Sequence, residues 1–186
     1  MIFTSRLGLA NKHALLSPST YHWINYDPQK LEAKYHSSRA AQRGTRLHDL
    51  AKNAIELGVR MPDIPKTINL YVNDGIDYRM SCEVALYYSD DCFGHADAIS
   101  FYDSVLRIHD LKNGIAKTSF MQLIIYAALF CLEYGVDPFA IRTILRIYQH
   151  DDVQEFEPSP EEINDVMDKI VDSVNYISQL REEDLR

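Results

Sequence analysis

The sequence predicts an α/β fold in which helices flank a mixed β-sheet, and three observations carry that expectation. Residues 94–112 alternate in polarity on either side of Asp103-Ser104, as two short strands joined by a tight turn would. Residues 141–148 also alternate and are rich in β-branched side chains, which marks another strand. Two segments have helical character instead: the strongly apolar stretch Ala116 to Tyr134, and a later stripe at Ile163, Val166, Ile170, Val174 and Ile177. The core order is helix, three strands, helix, strand (αβββαβ), with a final helix after it.

Each element has a local cause. Ser17-Pro18-Ser19-Thr20 supplies capping hydroxyls and a proline ahead of Tyr21-His22-Trp23-Ile24, so a short helix begins there. A second helix is expected from about Ser38 to Leu57, with Leu47, Leu50, Ala51, Ala54 and Ile55 as its apolar stripe and Gly58 as its stop. Gly44 inside it marks a break or a close approach. Met61 to Pro65 is a loop, and Tyr78 to Tyr88 a strand that turns at Ser89-Asp90-Asp91. Counting outward from Asp103-Ser104, Phe101 faces Leu106, Ile99 faces Ile108 and Asp97 faces Asp110, while Ser100–Arg107 and Ala98–His109 make a more polar face. Gly135 stops the apolar helix, and Pro160-Glu161-Glu162 opens the last one.

The chain has 186 residues, 46% hydrophobic and 25% charged, which suits one soluble domain spanning 1–186, with 151–186 as an acidic helical extension. No signal-peptide stretch opens it, and Phe120 to Leu132 is too short to cross a bilayer, so a cytoplasmic protein without a membrane partner is expected. Cys82, Cys92 and Cys131 are scattered and odd in number, which predicts free thiols rather than a disulfide framework or an iron–sulfur cluster. The net charge of −8 argues at first against nucleic acid, but it is uneven. Residues 151–186 carry 12 acidic and 3 basic side chains, leaving the first 150 residues at +1. Within 28–60, Lys30, Lys34, Arg39, Arg43, Arg46, Lys52 and Arg60 outnumber Glu32, Asp49 and Glu56. Such a surface either holds a phosphate backbone or is an ordinary solvated helix face.

The candidate chemistry lies at the hairpin's open end. Asp110 and Lys112 are two apart and project together, with Asp97 opposite Asp110. Adjacent carboxylates repel unless a cation sits between them, and oxygen ligands favour Mg²⁺ or Mn²⁺. A lysine on the same face steers a nucleophilic water or holds a phosphate oxygen, which equips the site for phosphodiester hydrolysis. The alternative is a solvated hairpin end. His48, flanked by Leu47 and Leu50, either completes the metal shell or is a structural helix histidine. Glu83, between core-like Cys82 and Val84, is a further site carboxylate or a solvated strand residue. Gln122 and Tyr126 share a helix face. Burial of Gln122 demands a partner: the lysine, a backbone group or a phosphate, or else the ordinary contacts of a satisfied core amide.

Together these residues resemble the PD-(D/E)XK nuclease superfamily, in its RecB-like branch that includes the phage λ-type exonucleases. Four motifs occur in order: Gly44-Thr45-Arg46-Leu47-His48, Gly94-His95-Ala96-Asp97, Asp110-Leu111-Lys112 and Gln122-Leu123-Ile124-Ile125-Tyr126. His13-Ala14-Leu15-Leu16-Ser17-Pro18-Ser19 with Trp23 is similar to phage and prophage members, and the likeness spans roughly residues 13–150. It implies a restriction-endonuclease-like core. It implies that His48, Asp97, Asp110 and the Leu111 carbonyl hold Mg²⁺ or Mn²⁺, that Lys112 orients water, and that Glu83 assists through a second metal or a water. Gln122 and Tyr126 contact DNA, as the basic Arg43 and Arg46 are also expected to do. Relatives with a four-cysteine iron–sulfur cluster differ, because three scattered cysteines cannot supply one.

The function implied is a metal-dependent DNA exonuclease of phage recombination or replication, acting in the host cytoplasm. An annealing protein or a helicase would be its partner, and a homo-oligomeric ring is the arrangement of some relatives. A restriction-type or structure-selective endonuclease uses the same site. A non-catalytic DNA- or protein-binding module on the same scaffold is the reading from a different class.

Overall fold

The computed structural model describes residues 15, 16, 18–114 and 119–184, with the side chains of 18–21 and 40–43 outside that description. The start of the expected apolar helix and most of the stretch His13 to Ser17 therefore lie outside the described residues. The chain divides into two units, residues 1–45 and 46–186.

In the first unit a 3₁₀ helix spans Pro18–Asn25 and helix α1 (Pro28–Glu56) begins. The start falls earlier than Ser38 because Asp27-Pro28 is a capping pair. The Lys30 N–H donates to Asp27 Oδ1 at 2.8 Å, and proline at the first helical position forfeits no helix bond. Gly44 causes no break.

The second unit holds the rest of α1, then α2 (Thr67–Asp77), β1 (Ser81–Ser89), β2 (Cys92–Tyr102), β3 (Val105–Leu111), α3 (Met121–Tyr134), β4 (Arg142–Gln149), β5 (Asp152–Phe156) and α4 (Pro160–Asp184). It is an α/β structure: one five-stranded sheet in the order β1-β2-β3-β4-β5, flanked by helices. Only β3–β4 is parallel, and α3 lies in the crossover that a parallel pair requires. Ile99 opposes Ile108 and Phe101 opposes Leu106, in the expected register, around a turn whose Asp103 and Ser104 take φ of 50° and 57°. The ladder ends at Ala98↔His109, so Asp97 and Asp110 are not a ladder pair.

Two elements depart from the expected order. Helix α2 occupies a segment that the sequence reading leaves between a loop and a strand, and β5 adds an edge strand after the turn at His150-Asp151.

Apolar side chains pack on both faces of the sheet. Leu86, Ala96, Leu106, Ile108 and Leu145 lie with Leu123, Ala127 and Phe130 of α3 and Ile163 and Ile170 of α4. Ala98, Leu111 and Tyr148 lie with Ala51, Ala54 and Ile55 of α1 and Tyr71 and Val72 of α2. The three cysteines are free; Cys131 is buried while Cys82 and Cys92 are half-buried. Burial pushes the Cys82 and Cys131 thiols up to about 11, so both stay protonated near neutral pH. Among the described residues no helix is long and apolar enough to cross a membrane.

Candidate metal centre and its lysine

The first two strands of the β1–β2–β3 meander change face at one level. In a regular strand Cys82, Val84 and Leu86 share a face. Here Val84 and Leu86 pack toward α3, whereas Cys82 packs with the α1–α2 cluster. On β2, Ala96 and Ala98 split in the same way. Between them, Glu83 falls opposite Asp97, outside the ladder, and has φ of 53°. A left-handed backbone is costly for a side chain such as glutamate and persists only where its surroundings impose it. The result brings a nitrogen of His48 and carboxylate oxygens of Glu83 and Asp97 within 4.8 Å of one another.

The Leu111 backbone ties this group to the end of β3. Its N–H donates to Asp97 Oδ2 at 3.0 Å, and its carbonyl lies 2.8 Å from His48 Nε2. A carbonyl only accepts, so Nε2 carries the proton. In a neutral imidazole, Nδ1 is then a lone pair facing Asp97 Oδ2 at 3.5 Å. Burial, first, and the neighbouring Asp110 carboxylate raise the Asp97 carboxyl above its ordinary range; the Leu111 N–H, His48 and Lys112 oppose the rise. Acceptors converging without a donor among them suit a cation, and two carboxylates with one imidazole suit Mg²⁺ or Mn²⁺.

Asp110 and Lys112 sit on the other side of Leu111, toward α3. Lys112 Nζ lies 3.0 Å from Asp110 Oδ2, which is buried and has no well-directed hydrogen bond. The lysine donates to Gln122 Oε1 at 3.3 Å, and Gln122 Nε2 donates to the Tyr126 hydroxyl at 3.2 Å. Gln122 is exposed rather than buried, and it bonds the lysine, one of the partners open to it from sequence. The Lys112 N–H also bonds the Tyr148 carbonyl at 2.9 Å, extending the β3–β4 ladder and fixing the lysine's origin. Gly94 explains its place in the second motif: a Cβ there would stand 2.8 Å from Tyr126 Cε1.

Of the metal ligands expected from sequence, the structure thus groups His48 and Asp97 with Glu83, while Asp110 pairs with Lys112 and the Leu111 carbonyl engages His48. Arg46 is exposed on α1, and the Arg43 side chain lies outside the described residues. Sequence reasoning missed Tyr71. It is 3% exposed, and burial, followed by the fields of Asp97, Cys82, Asp110 and Glu83, drives its phenol far above the usual range. It stays a neutral hydroxyl beside the acidic group, and nothing in the sequence signalled it because α2 itself was not expected.

No protein-family model matches the chain, and no curated protein does. Among solved structures, the crystal structure of SSO0001 is similar over 82% of this chain and 68% of its own, at 14% identity and a TM-score of 0.36, a likeness too slight to carry an argument.

Proposed function

We propose that this chain is a divalent-metal-dependent deoxyribonuclease with a restriction-endonuclease-like core, hydrolysing phosphodiester bonds at DNA ends. One observation carries the reading: donor atoms of His48, Glu83 and Asp97 converge within 4.8 Å, one backbone residue away from a lysine held by a carboxylate and an amide. His48, Glu83 and Asp97 would hold Mg²⁺ or Mn²⁺. When bound, such an ion supplies a Lewis acid to the phosphoryl group and acidifies water. The chain's own residues do the rest. Lys112 has three N–H donors, of which Gln122 takes one, while Asp110 holds the ammonium as an ion-pair partner at 3.0 Å. A remaining donor orients a nucleophilic water or meets a phosphate oxygen as charge builds on it. Tyr126, through Gln122, fixes where that ammonium points, and the exposed Arg46 adds positive charge for the strand. Service in phage recombination or replication, beside an annealing protein or a helicase, follows from the motif resemblance.

The test is digestion of end-labelled linear duplex, single strand and closed circle with Mn²⁺, Mg²⁺ or EDTA. Metal-dependent loss of the linear forms, a spared circle, and a rate reduced at least ~100-fold in Lys112→Ala are the expected results. Cleavage of the closed circle would convert the reading to an endonuclease. Full activity in Lys112→Ala would refute the mechanism.

A further inference from the structure

Helix α3 carries more than Gln122 and Tyr126. Phe130 and Tyr134 follow Tyr126 at four-residue steps, along a row that winds about the helix by roughly 40° per step, and both line a cavity of about 540 Å³. That volume is within the roughly 300–1,000 Å³ of small-ligand sites. Two turns separate Gln122 from Phe130, about 12 Å along the axis. This winding row runs from the Lys112 cluster to the cavity.

The cavity has two chemically different sides. One is aromatic: Phe101 packs against Phe130 with ring centroids 5.1 Å apart, and Phe130 against Tyr134 at 5.0 Å. The other is cationic. Arg107 lies over the Tyr78 ring at 4.8 Å and Arg79 over Tyr102 at 5.9 Å, all four lining the cavity. Among the described residues neither arginine has a carboxylate partner, although the chain as a whole is acidic. The nearby carboxylate, Asp77, is held at both oxygens by Arg60. Ser100 adds a buried hydroxyl with no partner to the wall.

Flat apolar rings facing unneutralised guanidiniums suit a ligand that is planar and apolar at one end and anionic at the other. We propose that this cavity is a nucleotide subsite, taking a base against Phe101, Phe130 and Tyr134 and its phosphate on Arg79 and Arg107. It rests on the nuclease reading for the polymer that delivers the nucleotide, but not for the binding itself. A strand lying along α3 would reach both the cavity and Lys112.

The test is titration of the full chain with dAMP, deoxyadenosine and inorganic phosphate in EDTA, followed by amide chemical shifts in a two-dimensional NMR spectrum. Without metal no cleavage occurs, so binding is read apart from activity. Saturable dAMP binding is expected, with shifts at 99–102, Arg107 and Tyr134, and with the nucleoside and phosphate each weaker by about tenfold or more. Arg107→Gln and Arg79→Gln should each weaken dAMP about tenfold, at an unchanged melting temperature. Absence of saturable binding, shifts confined to other residues, or dAMP affinity in both variants unchanged from that of the unaltered chain would overturn the subsite. DNA cleavage with no dAMP binding would sink this proposal alone, whereas dAMP binding without cleavage would sink only the nuclease reading.

Discussion

Leu111 contributes only a buried aliphatic side chain, yet its peptide groups join the two halves of the site. Its N–H steadies Asp97 and its carbonyl sets the tautomer of His48, while its neighbours Asp110 and Lys112 pair toward α3. The energetic tension sits in that pair. Asp110 is 3% exposed, and Lys112 is the cation closest to its Oδ2. Removing the ammonium alone leaves a buried carboxylate uncompensated, whereas removing both charges leaves a neutral amide beside an apolar chain. Lys112→Met should therefore destabilise the fold by about 1–3 kcal/mol, less than breaking a fully buried pair because the lysine is partly exposed. Adding Asp110→Asn should restore most of that loss without restoring cleavage. Urea unfolding of the single and double variants measures the coupling. Additive effects would mean that the pair does not act as a unit.

At the scale of elements, the kink in β1 makes the site possible. Glu83 takes a conformation that asparagine adopts far more readily than glutamate, and it sets a third acceptor beside Asp97 and His48. Glu83→Asn should hold or raise the melting temperature in EDTA while abolishing the rise that Mn²⁺ gives the unaltered chain. A fall in stability would show that the glutamate side chain supports the strand rather than the metal. Sequence periodicity could not show this kink. Cys82, Glu83 and Val84 read as a regular alternation with Cys82 and Val84 on one face and Glu83 on the other, whereas the structure packs Cys82 and Val84 into different clusters. The hairpin was legible because the Asp103-Ser104 turn and the Ile99, Phe101, Leu106 and Ile108 ladder agree on one register. Helix α2 was not, because Asn69, Asn73, Asp74 and Gly75 are poor helix formers. Tertiary fit decides it: a Cβ at Gly75 would meet Ile55 Cδ1 at 2.5 Å, and Asn73 closes two bonds with the backbone of Met61. Strand β5 was missed because its five residues, mostly exposed, carry no apolar alternation.

At the scale of the molecule, one polar chain beneath the sheet couples protonation to the stability of the whole second unit. His109 Nδ1 lies 3.0 Å from the Tyr148 hydroxyl, which donates to Asp74 Oδ2 at 2.6 Å, where Arg146 Nη1 also donates at 2.8 Å. Tyr148 gives its proton to Asp74, so His109 is the donor to Tyr148, and its Nε2 is left buried without a partner. Burial, aided by Arg146 and Arg107, lowers its pKa from 6.5 to about 3. Unfolded, the same imidazole protonates near 6.5, so between these values the unfolded chain binds the extra proton. The stabilisation is complete above pH 6.5 and is lost as the pH falls toward 3, with a slope approaching roughly 1.4 kcal/mol per pH unit. Asp77, Asp151 and Glu157, whose carboxyls are held low by Arg60, by the Thr67 backbone N–H and hydroxyl, and by Arg142, lose stability by the same sense of linkage, but only in a more acidic range. Asp97 acts oppositely, because its raised carboxyl makes the folded state the better proton acceptor. A comparison at pH 7.5 and 5.0 isolates the histidine, since the carboxylate contributions are common to both proteins. His109→Gln keeps a donor for Tyr148 and has nothing to protonate, so it should lose less stability on acidification than the unaltered chain does. Equal losses in urea titrations at the two pH values would mean that His109 accepts its proton in the folded state, and that the neutral hydrogen-bond chain to Asp74 is not the one that forms.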